Sequence, residues 1–168
     1  MDQLAPKPFP AYTGDEPYVF VCYAHDDETA AYPELAAVHG QGINLWYDEG
    51  ISPGHRWSED VADALRGSQV VLFLATRASV ASNHCHDEIN FALDHAVPVL
   101  TVYLEDKELT PSLRLRLSSH QGVIGTGLDA TERAARVSGP LSRLLDGGTA
   151  TRSGRHQNRT LAGCAGRS

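Results

Sequence analysis

The sequence predicts an α/β fold with one open sheet of five parallel strands and helices on both faces. Three observations predict it. Short apolar runs alternate with helix-like segments along the chain, and the central run is apolar without interruption, as in strands covered on both faces. The chain has 168 residues with 42% hydrophobic content, which suffices for one buried core but not for two ordinary domains.

The first half of the chain predicts two strands and two helices. The first strand is expected at Tyr18–Tyr23, a β-branched and aromatic run that ends in turn-forming residues. Pro33 suits the first turn of a helix, which would end at Gly40. A second strand is expected at Ile43–Tyr47 and a second helix at Trp57–Arg66, with a long exposed loop of turn residues between them.

The second half continues the alternation, with weaker signals near its end. Gly139 and Pro140 should kink or split the last helix, which a capping-box pattern opens. The order of the elements favours a flavodoxin-like sheet, in which ligands bind at the carboxyl ends of the strands. The expected strands are Gln69–Ala75, Val97–Tyr103 and Gly122–Ile124, and the expected helices are Asn83–His95, Ser112–Leu117 and one from Asp129.

Composition limits the class of partner and the compartment. The net charge of -7 does not favour a nucleic-acid partner, because binding a phosphate backbone requires clustered basic residues. The cysteines have no metal-ligand spacing and are odd in number, which is typical of a reducing, cytoplasmic compartment. No segment approaches the roughly 18 apolar residues of a membrane span, so no membrane partner is expected.

The two ends of the chain differ from its centre. Residues 1–16 are expected to be an N-terminal extension and residues 17–146 to form the domain. Residues 147–168 carry four arginines and no acidic residue, and they predict a disordered basic tail or linker. The alternative for this tail is a basic interaction arm.

Several familiar kinds of site do not fit the sequence. There is no G-x-G-x-x-G after the first strand and no G-x-x-x-x-G-K-[ST], so dehydrogenase and NTPase chemistry are not favoured. Asp26 and Asp27 resemble the metal-binding pair of a phosphotransfer receiver, but Leu74–Arg77 lacks the phosphoacceptor aspartate. Neighbouring side chains in His84–His86 point about 100° apart on a helix, so no metal site is expected.

Glu88 is the carboxylate that the pattern singles out. On a helix, Cys85 and Ile89 fall on the core face, and Glu88 lies at the edge of that face. A carboxylate at such an edge can be partly desolvated, which raises its pKa. From helical position alone, a solvated surface acid near a helix N-terminus is the favoured interpretation.

Three segments, taken in order, resemble the signature segments of bacterial TIR (Toll/interleukin-1 receptor) domains. Tyr18–Asp27 is similar to the family's opening strand and loop, and Ile43–Gly54 to its second strand and BB loop. Ser82–Glu88 is similar to its S-x-x-C-x-x-E element. The resemblance extends over Tyr18–Leu145 and implies the TIR fold, a flavodoxin-like sheet of five parallel strands.

The resemblance implies two functions, cleavage of NAD+ and homotypic assembly of signalling complexes. In enzymatic members the glutamate that ends the S-x-x-C-x-x-E element is required, and it corresponds to Glu88. Many of these members carry tryptophan four residues earlier, where this chain has His84. We therefore expect an NAD+ glycohydrolase or cyclase in bacterial defence or signalling, activated by self-assembly, with NAD+ as substrate and no cofactor.

The other site residues are candidates only because of their positions in the expected TIR fold. Residues expected to bind the substrate are Tyr23, His25, Trp46, Asp48, Ser82 and His84. Residues of the loop expected to contact another TIR domain, in a homo-oligomer or filament, are Gly50, Ile51, Ser52, Pro53 and Gly54. Two alternatives stay open: a non-catalytic TIR interaction module, and an enzyme similar to nucleoside deoxyribosyltransferases.

Overall fold

The computed structural model describes residues 6–48, 57–106 and 108–161. Its five strands are all parallel and form one sheet in the order β2-β1-β3-β4-β5. This flavodoxin-like order confirms the fold class that the sequence predicts. The strands are β1 (Val19–Cys22), β2 (Leu45–Trp46), β3 (Val70–Ala75), β4 (Val99–Tyr103) and β5 (Gly122–Ile124).

Helices connect the strands and cover both faces of the sheet. A 3-10 turn at His25–Asp27 follows β1. The helix α3 falls where the sequence predicts only a serine-rich turn, because Ser79 replaces the usual acidic residue of the capping box with Thr76. The helices are α1 (Glu28–His39), α2 (Trp57–Gly67), α3 (Arg77–Ala81), α4 (Asn83–Asp94), α5 (Pro111–Leu117) and α6 (Ala130–Leu161).

Two predictions about the helices were wrong. Pro33 lies inside α1 rather than in its first turn, since the 3-10 turn leads directly into a helix that begins at Glu28. The helix α6 is not split at Pro140 but continues to Leu161, and the disordered tail expected at residues 147–168 stays a prediction. Elongating a helix that is already packed requires no new nucleation, so a segment of low helix propensity can continue it.

Side-chain alternation along β1 divides the core into two layers. Val19 and Val21 face the layer formed with α1 and α6. Phe20 and Cys22 face the layer formed with α2, α4 and α5. Every residue of β3 is buried, which agrees with its uninterrupted apolar sequence. Cys22 is therefore directed toward the helix that carries Glu88.

The N-terminal segment packs along the outer strand β2. The backbone N–H of Tyr12 donates to the carbonyl of Leu45 over 2.9 Å, and the Tyr47 hydroxyl donates to the carbonyl of Phe9. The Phe9 ring stacks on His39 with ring centroids 4.0 Å apart. This segment thus covers a strand edge that would otherwise expose unpaired backbone groups.

A buried ion pair joins α1 to α6. The Arg133 Nε lies 2.9 Å from each carboxylate oxygen of Glu34, and the two side chains are only 16% and 7% exposed. The Nη1 of Arg133 also donates to the carbonyl of Gly125 over 3.0 Å. One guanidinium therefore connects two helices with the residue that follows β5.

Removing Arg133 should destabilise the fold severely. In Arg133→Ala the Glu34 carboxylate stays buried without its counter-ion, and we expect the free energy of unfolding to fall by about 3–5 kcal/mol. Arg136→Ala, at an exposed position of the same helix, should change it by less than about 0.5 kcal/mol. Urea denaturation followed by circular dichroism measures both, and equal losses would contradict a specific role for the pair.

Candidate active site

The candidate site lies at the carboxyl ends of β1 and β2, where α4 packs against β1. Tyr23 and His25 follow β1, and Asp48 follows β2. Glu88 reaches the same region from α4. The strand order reverses direction beside β1, which is where ligands bind in open α/β sheets.

The start of α4 fixes the position of Glu88. Ser82 is the N-cap, and its hydroxyl accepts a hydrogen bond from the backbone N–H of Cys85 over 3.3 Å. Cys85 is buried in the core at 1% exposure, and Glu88 follows it by just under one turn. The spacing S-x-x-C-x-x-E therefore combines a helix cap, a core anchor and a carboxylate.

Glu88 is half-buried in an environment that disfavours its charge. Burial raises its pKa to about 7, and the nearby Asp48 and Asp87 carboxylates act in the same direction. The nearby Cys22 thiol and the charge of His25 partly offset this rise. Glu88 therefore keeps its proton to a higher pH than an exposed glutamate does.

His25 and Asp48 lie within ion-pair distance of each other, and both act electrostatically on Glu88. The His25 Nε2 lies 3.4 Å from the Asp48 Oδ2, and the histidine is 42% exposed whereas the aspartate is 8% exposed. The hydrogen bond to Asp48 is the main cause of the raised pKa of His25. Tyr23, whose pKa burial raises, donates its hydroxyl to the Asp48 carbonyl over 2.8 Å. The arrangement therefore favours the protonated form of His25 beside the Asp48 carboxylate.

A cavity of about 180 Å³ opens beside Glu88 between α2 and α4. Its rim is polar, with His84 and Asp87 beside the glutamate. Its walls are apolar and come from Val61, Ala62, Leu65 and Phe91. A larger cavity of about 390 Å³ lies near β4, β5 and α5 and contains none of the residues predicted for the site.

The structure brings together most, but not all, of the residues predicted to bind the substrate. Tyr23, His25 and Asp48 form one network, and His84 lines the cavity beside Glu88. Trp46 instead packs on Phe20, with ring centroids 5.0 Å apart, and Ser82 caps α4. Their contacts with a substrate stay predictions. The predicted loop residues Gly50, Ile51, Ser52, Pro53 and Gly54 lie outside the described residues.

Sequence reasoning missed the contact of Cys22 with α4 and the cavity beside Glu88 that Phe91 lines. Helical periodicity places Phe91 beside Glu88 but does not reveal the cavity, which requires α2 as a second wall. The Cys22 contact depends on how β1 and α4 pack together. The strand alternation of β1 was the available signal, because it places Cys22 and Phe20 on one face.

Comparison with known proteins agrees with this description. The family model described as TIR domain matches residues 19–136. The crystal structure of the TIR domain of the Toll-related receptor TRR-2 from the lower metazoan Hydra magnipapillata is similar, with a TM-score of 0.56 and 18% sequence identity. That match covers 80% of this chain and 99% of the other, and it supports the fold alone. None of the curated proteins matches the chain.

The fold and the site define a doubly wound α/β domain with a half-buried carboxylate at the carboxyl ends of its strands. The chain belongs to the TIR domain family, as the signature segments indicate. Among the described residues, no helix is both long and apolar enough to span a membrane. The same residues contain no group of three or more side chains arranged to hold a metal ion.

The buried carboxylate should reduce stability at high pH. Because the pKa of Glu88 is raised from 4.5 to about 7 in the folded protein, its stabilising protonated form is lost as the pH rises through that range. Glu88→Gln should therefore be more stable than the wild type at about pH 8, by up to about 3 kcal/mol, and equal to it near about pH 4.5.

Urea denaturation at the two pH values measures this difference. Asp94→Asn is the matched control, because Asp94 is exposed on the same helix and is not among the groups that act on Glu88, so it should give no comparable gain. A difference between Glu88→Gln and the wild type that does not depend on pH would contradict the raised pKa.

Proposed function

We propose that this TIR domain cleaves the bond between nicotinamide and ribose in NAD+, with Glu88 as the catalytic carboxylate. The observation that carries the proposal is the half-buried Glu88, whose pKa is raised to about 7 at the S-x-x-C-x-x-E position of a TIR domain. Groups with strongly perturbed pKa values are typical of catalytic sites. The position of Glu88 at the carboxyl ends of parallel strands supports the same proposal.

The chemistry requires only one carboxylate. Nicotinamide is cationic in NAD+ and leaves as a neutral molecule, so no acid is needed to protonate it, whereas ordinary glycosidases use two carboxyl groups. Positive charge develops on the ribose as the bond breaks, and ionised Glu88 stabilises that charge in a partly desolvated setting. Attack by water gives ADP-ribose and releases a proton, and attack by the adenine gives a cyclic isomer.

The neighbouring residues suit the rest of the dinucleotide. His25 is half-exposed and its pKa is raised, so it offers positive charge to the diphosphate. We assign Tyr23 and Asp48 to holding His25 in place, and His84 to the rim where the substrate approaches Glu88. Ser82 contributes by fixing the start of α4, and Trp46 contributes through the packing of β2.

Loss of the Glu88 charge should abolish turnover. Glu88→Gln keeps the shape of the side chain and removes the ionised form, so we expect the rate of NAD+ cleavage to fall at least about hundredfold. Chromatography of nicotinamide and ADP-ribose products, with protein at high concentration to allow self-association, measures the rate. Asp94→Asn, at an exposed position of the same helix that does not line the cavity, should stay within about twofold of the wild type. Unchanged turnover in Glu88→Gln would remove Glu88 from the mechanism.

Activity should depend on pH through the same carboxyl group. Since the ionised form is the active one and its pKa is about 7, kcat/KM should be constant above that pH and fall about tenfold for each pH unit below it. A pH profile from initial rates tests this, and activity that increases toward acid pH would refute the assignment.

A non-catalytic interaction module is the second candidate. Leu115 on α5 and Ile124 on β5 favour it, because they are 78% and 69% exposed and large exposed apolar side chains are typical of contact surfaces. Wild-type protein that self-associates in light scattering but leaves NAD+ intact at every concentration would support this candidate. Transfer of bases between deoxynucleosides, with NAD+ intact, would instead indicate a deoxyribosyltransferase.

A further inference from the structure

The 3-10 turn after β1, His25–Asp27, contacts the ends of both neighbouring strands. At the start of the turn, the His25 Nε2 lies 3.4 Å from the carboxylate of Asp48, which follows β2. At its end, a carboxylate oxygen of Asp27 accepts a hydrogen bond from the hydroxyl of Thr76, which follows β3. Because β2 and β3 flank β1 in the sheet, the turn is held on both sides.

The Thr76 hydroxyl has one proton, and its surroundings assign that proton to Asp27. The hydroxyl oxygen is the N-cap of α3 and accepts from the backbone N–H of Ser79 over 3.1 Å. The Ser79 hydroxyl lies 3.2 Å away, but it donates its own proton to the carbonyl of Leu74 over 2.7 Å. It also accepts from the backbone N–H of Thr76 over 2.8 Å. The Asp27 carboxylate is therefore the better acceptor for the Thr76 proton.

Asp27 occupies the N-cap position of α1, yet its side chain does not cap that helix. Aspartate is common at this position because its carboxylate usually accepts from a backbone N–H of the first helical turn. In this protein the carboxylate instead reaches Thr76, which lies 49 positions further along the chain. Asp27 is half-buried and Thr76 is only 3% exposed. The side chain of Asp27 thus connects two strand ends rather than its own helix.

We propose that Asp27 is a positioning residue for His25, which it keeps beside the Asp48 carboxylate through its hydrogen bond with Thr76. Asp27 lies two residues after His25, and its backbone N–H donates to the carbonyl of Ala24 over 2.9 Å. A turn closed in this way moves as a unit, so losing its attachment to β3 would also displace His25. The catalytic consequence rests on the proposed function, in which His25 offers positive charge to the diphosphate, but the positioning itself does not.

The titration of His25 reports its position, because the hydrogen bond to Asp48 is the main cause of its raised pKa. In Asp27→Ala we expect the pKa of His25 to fall toward its ordinary value. Asp27→Asn keeps an acceptor oxygen and should retain the wild-type titration. The other charged groups that act on His25 are Glu88 and Glu28, which these variants leave in place. The NMR signals of the imidazole ring, assigned by their absence in His25→Gln, measure the pKa in each variant.

Thr76→Val tests the same hydrogen bond from its other end, and replaces Asp27→Ala if that variant fails to fold. It removes the donor without changing any charge, so it should lower the pKa of His25 in the same way, and the double variant should lower it no further. Asp26→Ala is the matched control, because Asp26 is exposed on the same turn. An unchanged His25 titration in folded Asp27→Ala or Thr76→Val, or an equal fall in Asp26→Ala, would overturn the proposal.

Kinetics separate this inference from the proposed function. If NAD+ is the substrate, Asp27→Ala should raise KM about threefold to tenfold and leave kcat within about twofold, because the diphosphate is bound equally before and during bond cleavage. Asp27→Asn should restore the wild-type KM. A loss in kcat with KM unchanged would overturn the role of Asp27 in substrate binding. A protein that cleaves no NAD+ but shows the shifted His25 titration would overturn the proposed function and retain the positioning role of Asp27.

Discussion

Parallel strands must all begin at one edge of the sheet, so a connection has to return the chain to that edge after each strand. In this protein the connections include helices on both faces, which bury β3 completely. The carboxyl ends of the strands consequently lie together, and the start of α4 is brought beside the end of β1. The candidate site is a product of this arrangement, since its residues come from three separate parts of the chain.

The same arrangement creates a conflict between stability and chemistry. A carboxylate in a partly apolar setting interacts strongly with developing positive charge, but its ionisation weakens the folded state. The ion pair of Glu34 and Arg133 contributes to stability at a distance from that conflict, in the other core layer. The two core layers therefore have different roles. The layer with α1 and α6 connects these helices to β5, and the layer with α2, α4 and α5 contains the helix that carries the titrating Glu88.

The sequence was informative wherever the signal was local. The apolar run of β3 and the spacing of Ser82, Cys85 and Glu88 predicted a buried parallel strand and a carboxylate at the edge of a helix face. The position of Pro33 was misleading. The residues around a proline do not show whether it lies inside a helix or in the first turn. Contacts between elements, such as the hydrogen bond from the Cys22 thiol to the Cys85 carbonyl, require the packing of a strand against a helix, which periodicity does not encode.

The N-terminal segment has a practical consequence for defining the domain. Similarity to the family begins at residue 19, yet Phe9 and Tyr12 are already integrated into the molecule through Tyr47 and Leu45. A protein trimmed to the region of similarity would expose the edge of β2 and the surface beside His39 on which Phe9 packs. The folded unit is thus longer than the unit that homology delimits, and the segment around Phe9 and Tyr12 shields the edge of the sheet against pairing with another sheet.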